Sequence, residues 1–122
     1  MEINDITEKI IGCAFTVSNT LGAGFLEKVY ENALVHELRK TGLDVKQQYP
    51  IHVYYDEQLV GEYTADLFVE DCVLVELKAV KAIDEIHTSQ CMNYLKATEQ
   101  KVCLLLNFGK PKIQIKRIVH NL

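Results

Sequence analysis

The apolar residues change their spacing near Gly42, and that switch constrains the fold more than any other feature of the chain. Before it they recur at three- and four-residue steps. Ile6, Ile10, Cys13, Ala14 and Val17 form one stripe from Asp5 to about Thr20, with Asn4 or Asp5 placed to cap the helix. Leu26, Val29, Tyr30, Ala33, Leu34 and Leu38 form a second stripe. Between them "LGAGF" supplies Gly22 and Gly24 for a tight turn, and Thr41-Gly42 closes the second helix with a glycine beyond its last turn. After the switch, residues 44–69 alternate with period two: "VKQQYPIHVYY" and "LVGEYTADLFV" flank a polar three-residue connection, "DEQ", and read as paired antiparallel strands. A third strand, "CVLVELKAV", follows "ED".

Helical spacing returns in "IDEIHTSQCMNYLKATEQ" through Ile83, Ile86, Gln90, Met92 and Leu95. "KVCLLLNF" is a continuous apolar run short enough for a buried strand, and "NFGKP" turns the chain into "KIQIKRIVHNL", a final, more exposed strand. The order ααβββαββ implies an α/β or α+β domain, a mixed β-sheet flanked by helices. The helix at about 84–98 has the length of a crossover, which would set the strands on either side of it parallel. At 122 residues, with no repeat, linker or low-complexity tract, the chain is expected to form one domain over 1–122 with a core that needs no staples.

Composition narrows the function classes. With 48% hydrophobic and 25% charged residues, disorder is excluded. A net charge of −4 offers no global attraction for a polyanion, so any nucleic-acid binding must arise from a local site. No apolar run approaches the roughly 20 residues of a membrane span, and "MEINDITEKIIGCAFTVSNT" lacks the basic start and apolar core of a signal peptide. Cys13, Cys72, Cys91 and Cys103 show no CxxC pairing and read as free thiols of a reducing compartment. A cytoplasmic protein without membrane association is expected.

The chemistry concentrates in "YTADLFVEDCVLVELKA", residues 63–79, where Asp66, Glu76 and Lys78 interrupt a hairpin that would otherwise bury comfortably. Side chains alternate along a strand, so Asp66 is expected to share a face with Thr64 and Phe68, and Glu76 with Leu74 and Lys78. A three-residue loop, Glu70–Cys72, would pair Val69 with Val73 and set Asp66 opposite Glu76, whereas a two-residue loop would separate the carboxylates. Two adjacent carboxylates repel unless a proton or a cation lies between them, and oxygen ligands suit Mg²⁺ or Mn²⁺. Lys78 would then orient a water and offset charge developing on a phosphorus centre. The simpler alternative is a solvated strand face carrying weak exposed ion pairs. The strongly apolar flanks of "VLVELKAV" speak against it, because charges in a central strand are seldom idle.

At these residues the chain resembles the PD-(D/E)XK nuclease superfamily, and more closely the small GxxExxY group, whose motif appears as Gly24, Glu27 and Tyr30 in "GFLEKVY". The resemblance covers nearly the whole chain. It implies a restriction-endonuclease-like core and a divalent-metal site formed by Asp66, Glu76 and the backbone carbonyl of Leu77, with Lys78 serving the attacking water. Glu27 matches the additional acid found on a preceding helix, and Gln90 with Tyr94 matches a QxxxY element on the helix after the ExK strand. The superfamily's proline is replaced by Ala65.

Spacing places Glu27, Tyr30 and Glu31 on one side of the second helix, and His87, Gln90 and Tyr94 on one side of the third. Each also has a simpler role: a first-turn acid for Glu27, boundary aromatics for Tyr30 and Tyr94, and a surface histidine for His87. The leading expectation is a Mg²⁺- or Mn²⁺-dependent nuclease acting on nucleic acid, DNA above all. Basic residues near the site are few, namely Lys28, Arg39, Lys40, Lys78, Lys81 and Lys96, so a homodimer or a partner is one way so small a domain would hold a duplex. The competing expectation is a non-catalytic, nuclease-like binding or regulatory module.

Overall fold

The computed structural model describes residues 1–122 and contains α1 (Ile3–Leu21), α2 (Glu27–Lys40), β1 (Val45–Tyr55), β2 (Gln58–Val69), β3 (Val73–Lys78), α3 (Glu85–Thr98), β4 (Val102–Asn107) and β5 (Gln114–Val119). The five strands form one sheet in the order β1-β2-β3-β4-β5. Neighbours are antiparallel except β3 and β4, which run parallel with Val73 beside Val102 and Lys78 beside Asn107. The crossover through α3 therefore does what its length implied.

Each face of the sheet has its own core. α1 and α2 cover one face, burying Ile6, Ile10, Val17, Tyr30 and Leu34 against Leu67, Val75, Leu77 and Leu104. On the other face α3 buries Cys91, Tyr94 and Leu95 against Phe68, Leu74, Cys103 and Leu105. All of β4 and the first five residues of β3 are buried, which is why these strands read as nearly unbroken apolar runs. Glu76 lies within that sequence at 4% exposure. β1 and β5 are the edges and are largely exposed.

Local details differ from the sequence expectation. α1 begins two residues before Asp5: Glu2 holds the cap position and its N–H donates to the Asp5 carboxylate, so Asp5 is the third helical residue, not the cap. The buried face of α2 is Tyr30, Glu31, Leu34, Val35 and Leu38, rotated from the expected stripe, and Leu26 and Val29 are exposed. On α3 the buried residues are Cys91, Tyr94 and Leu95, while Ile86 faces solvent. The β1–β2 connection is the two residues Asp56 and Glu57, both with positive φ as a hairpin turn of this length favours, and Gln58 already belongs to β2.

Two buried polar arrangements hold the loops next to the site. The Tyr30 hydroxyl donates to the Gly22 carbonyl at 2.6 Å and accepts the Phe25 N–H at 3.1 Å, while its ring stacks on Phe108. Gly22 and Gly24 take positive φ in that turn, so Gly24 and Tyr30 together fix how α1 hands over to α2. At the end of β4, buried Asn107 accepts the Val80 and Gly109 N–H groups and donates to the Val80 carbonyl. Gly109 is pressed so closely against the Val80 backbone that any Cβ would overlap it.

Candidate active site

The β2–β3 loop is the three residues Glu70–Cys72, and Val69 pairs with Val73, Phe68 with Leu74 and Leu67 with Val75. The ladder stops there. One step further, each carboxylate takes a backbone donor of the opposite strand: the Asp66 N–H donates to Glu76 Oε1 at 2.9 Å, and the Leu77 N–H donates to Asp66 Oδ2 at 2.8 Å. Two carboxylates thus stand in the fork where β2 parts from β3, satisfying backbone donors that the ladder would otherwise have paired. In an extended strand a residue's N–H and C=O point to the same edge, so the Leu77 carbonyl faces this fork too.

The fork originates in β1. Gln48, opposite Asp66 in the register, has φ +54°, a left-handed conformation within a strand, and the Gln48–Asp66 pair is missing from the ladder, whose register shifts only between Val53 and Tyr54. The alternation of faces changes there. Val45 packs with the α1–α2 core and Ile51 with the α3 core despite their equal parity, and Leu67 and Ala65 divide the same way. Asp66 therefore sits at the crossing point and does not share a face with both Thr64 and Phe68 as simple alternation predicts. The irregularity turns its carboxyl toward Gln48 as well as Leu77.

Glu31 is the residue that sequence reasoning left out of the site. It lies on the buried face of α2 at 4% exposure and accepts from Gln47 at 2.8 Å, from Gln48 at 3.0 Å and from Lys28 at 3.0 Å. The Gln48 amide also reaches Asp66 Oδ1 at 3.5 Å, so Glu31, Asp66 and Glu76 follow one another as a row of acids. Glu27, one turn earlier on α2, is exposed on the first turn. The signal for Glu31 was present: it occupies the i, i+4, i+7 row with Val35 and Leu38, an acid inside an apolar stripe.

Electrostatics follow from this crowding. Burial, and then the neighbouring Asp66 charge, push the Glu76 carboxyl up from 4.5 to about 8. Burial raises Asp66 as well, and Glu31 adds to the rise, while the Leu77 N–H, Gln48 and Lys78 pull the other way. Tyr94, at 5% exposure, is pushed up to about 12 by burial and by the charges of Glu76 and Asp66, which places its phenol in the field of both acids. Lys78 is half-buried at the end of β3, and its charge offsets both carboxylates.

Gln90 and Tyr94 line a groove of about 930 Å³ between α3 and the β1–β2 arm, and Tyr63 packs on Tyr94 with ring centroids 5.7 Å apart. His87 accepts the Asp84 N–H at the start of α3 and so belongs to the helix cap. Among the expected cations, Lys28 is tied to Glu31, Lys40 to Glu37, and Arg39 to the Val45 carbonyl.

The donor set fits a hard divalent cation: two neighbouring carboxylates, one of them buried, with a carbonyl on the same edge. No group of three or more His, Cys, Asp or Glu is arranged around a single point, so an ion here would complete its shell with the carbonyl, water and substrate oxygens. All four cysteines are free; Cys13, Cys91 and Cys103 are buried. No helix is long and apolar enough to cross a membrane.

The chain is similar to the crystal structure of SSO0001 at 15% sequence identity and a TM-score of 0.60, over 98% of this chain and 59% of that one, so it spans less than two thirds of that protein's length. It is also similar to the crystal structure of an alkaline exonuclease (LHK-Exo) from Laribacter hongkongensis, at 13% identity and a TM-score of 0.51, over 94% of this chain and 82% of that one. At such identities the likeness establishes the fold. No curated protein matches the sequence. The family model for the PD-(D/E)XK nuclease superfamily matches residues 4–118, and the chain belongs to that superfamily.

Proposed function

We propose that the chain is a divalent-metal-dependent phosphodiesterase that hydrolyses nucleic acid, with DNA as its substrate and Mg²⁺ or Mn²⁺ as its cofactor. The observation that carries this reading is the fork itself, where Asp66 and Glu76 are linked at 2.9 Å through the Asp66 N–H with Lys78 on the next outward position of β3. Asp66, Glu76 and the Leu77 carbonyl would hold the ion; bound there, it would polarise a phosphoryl oxygen and lower the pKa of a water.

The chain's own groups do the rest. Glu76 must lose its proton before it can ligate, and the same burial that raises its pKa strengthens its attraction for a cation. Lys78 positions the attacking water and offsets the negative charge that develops on the phosphate oxygens. The Leu77 N–H holds one oxygen of Asp66 and the Gln48 amide reaches the other, which orients the carboxylate. Glu31 fixes Gln48 in turn, as a positioning residue.

The assignment to the GxxExxY group is part of this proposal and rests on Gly24, Glu27 and Tyr30. Gly24 and Tyr30 support the α1–α2 turn, and Glu27 is exposed beside it. A cytoplasmic location accords with the four free thiols. The homodimer is likewise a proposal, motivated by the shortage of free cations around the site.

The test is incubation of purified protein with single-stranded, duplex and branched DNA and with RNA, each with Mg²⁺, with Mn²⁺ and with EDTA. Metal-dependent cleavage of DNA supports the assignment. Failure to cleave any of these in either metal would refute it and favour a binding module.

A further inference from the structure

We infer that the groove between α3 and the β1–β2 arm binds unpaired nucleobases, making single-stranded nucleic acid, or a frayed end, the form that enters the site; this rests on the nuclease reading. The groove holds about 930 Å³ and its two walls differ in chemistry. The strand wall presents the rings of Tyr54, 62% exposed, and Tyr63, 53% exposed. The helical wall presents the side chains of Ser89, Gln90 and Asn93, a hydroxyl and two amides. A nucleobase has flat apolar faces and a hydrogen-bonding edge, and this pairing of surfaces suits both.

Three further observations select that occupant. Exposed tyrosines are costly to solubility unless they serve a contact, and these cluster along a single arm. His52 meets Tyr54 edge-on, with centroids 6.4 Å apart, and Tyr63 packs on Tyr94 of the helical wall, so each ring has a neighbour that fixes it while keeping exposed surface. The groove also lies close to the acids: Tyr94, which lines it, is buried in one cluster with Ala65, the residue before Asp66. A strand whose phosphate rests at the fork can thus lay neighbouring bases along the tyrosines.

Lys96 is the only cation lining the groove, and Glu85 lines it as well, so the lining carries no net charge. Binding there draws on stacking more than on phosphate neutralisation and should depend only weakly on salt, unlike attachment to a duplex backbone. Duplex DNA keeps its base faces stacked internally and gains little from the tyrosines.

The experiment is fluorescence anisotropy with a labelled 12-nucleotide single strand of mixed sequence and with its blunt duplex, in an Asp66→Asn background that prevents cleavage during binding. Tyr54→Ala and Tyr63→Ala are each expected to raise Kd for the single strand by at least about fivefold. Tyr54→Phe is expected to leave it unchanged, and the duplex should bind more weakly throughout. Both positions are exposed, and circular dichroism verifies that the variants fold. Alanine variants within about twofold of the background would overturn the inference, as would equal losses on duplex and single strand. A dimer in sedimentation that Tyr54→Ala dissociates would assign the groove to a second copy instead. Because the readout is binding, its failure is separable from that of the nuclease reading. Tyrosine-dependent binding without cleavage by the wild type would keep the groove and sink the phosphodiesterase, and cleavage with tyrosine-independent binding would do the reverse.

Discussion

Replacing Glu76 by glutamine should stabilise the metal-free protein, increasingly so as pH rises. The carboxyl titrates at 4.5 in an unfolded chain and at about 8 when buried beside Asp66. Between those values the folded state holds a proton that the unfolded state has released, so stability falls as pH rises through this window. Each pH unit across it is worth about 1.36 kcal/mol, giving a cost of up to about 5 kcal/mol near pH 8 for a carboxyl raised this far. The substituted amide cannot ionise, and its carbonyl oxygen can still accept the Asp66 N–H that Glu76 Oε1 takes now. Urea unfolding of both proteins in EDTA at pH 5, 6, 7 and 8 measures the difference. The curves should nearly coincide at pH 5 and diverge by several kcal/mol at pH 8, and saturating Mg²⁺ should recover much of the wild type's loss. Curves that remain parallel within about 0.5 kcal/mol over the whole range would refute the reasoning.

Other consequences follow from single contacts. Tyr30→Phe removes the hydroxyl that joins Gly22 to Phe25 and should cost about 1–2 kcal/mol in thermal or urea unfolding, without changing the metal dependence of any cleavage. Gly109→Ala forces a methyl into the Val80 backbone and should cost at least about 1–3 kcal/mol, measured the same way. Glu31→Ala removes the acceptor of Gln47 and Gln48, but both amides are exposed to water and Gln47 keeps Asn32, so the loss should be about 0.5–1.5 kcal/mol. Glu27→Ala, at an exposed first-turn position, should stay within about 1 kcal/mol of wild type, the size of a helix-dipole contribution.

Element order, the parallel crossover and the odd-numbered β2–β3 loop were legible because each follows from period, length or parity. Parity alone placed Asp66 opposite Glu76 once Glu70–Cys72 formed the loop. The left-handed Gln48 was not legible, since a polar residue in an alternating strand carries no mark of a positive φ. Without it the fork, the change of faces at Asp66 and the contact with α2 could not be drawn. The error on α2 had a different cause. Leu26 and Val29 extend an apolar stripe in the sequence but face solvent in the fold, where packing selected the row carrying Glu31. On α3 the apolar count was too low to orient the helix, so Cys91 and Tyr94 went inward and Ile86 outward. The groove depends on how far the β1–β2 arm extends past the sheet, a tertiary feature that no local pattern encodes.

The central claim, that Asp66 and Glu76 hold the ion while Lys78 acts on the water, is tested most directly by pairing calorimetric titration of Mn²⁺ with a cleavage assay on Asp66→Ala and Lys78→Ala. The account predicts that Asp66→Ala loses both ion binding and cleavage, whereas Lys78→Ala binds the ion at least as tightly as wild type and still fails to cleave. Cleavage that survives in either variant, or Mn²⁺ binding untouched by Asp66→Ala, would contradict it.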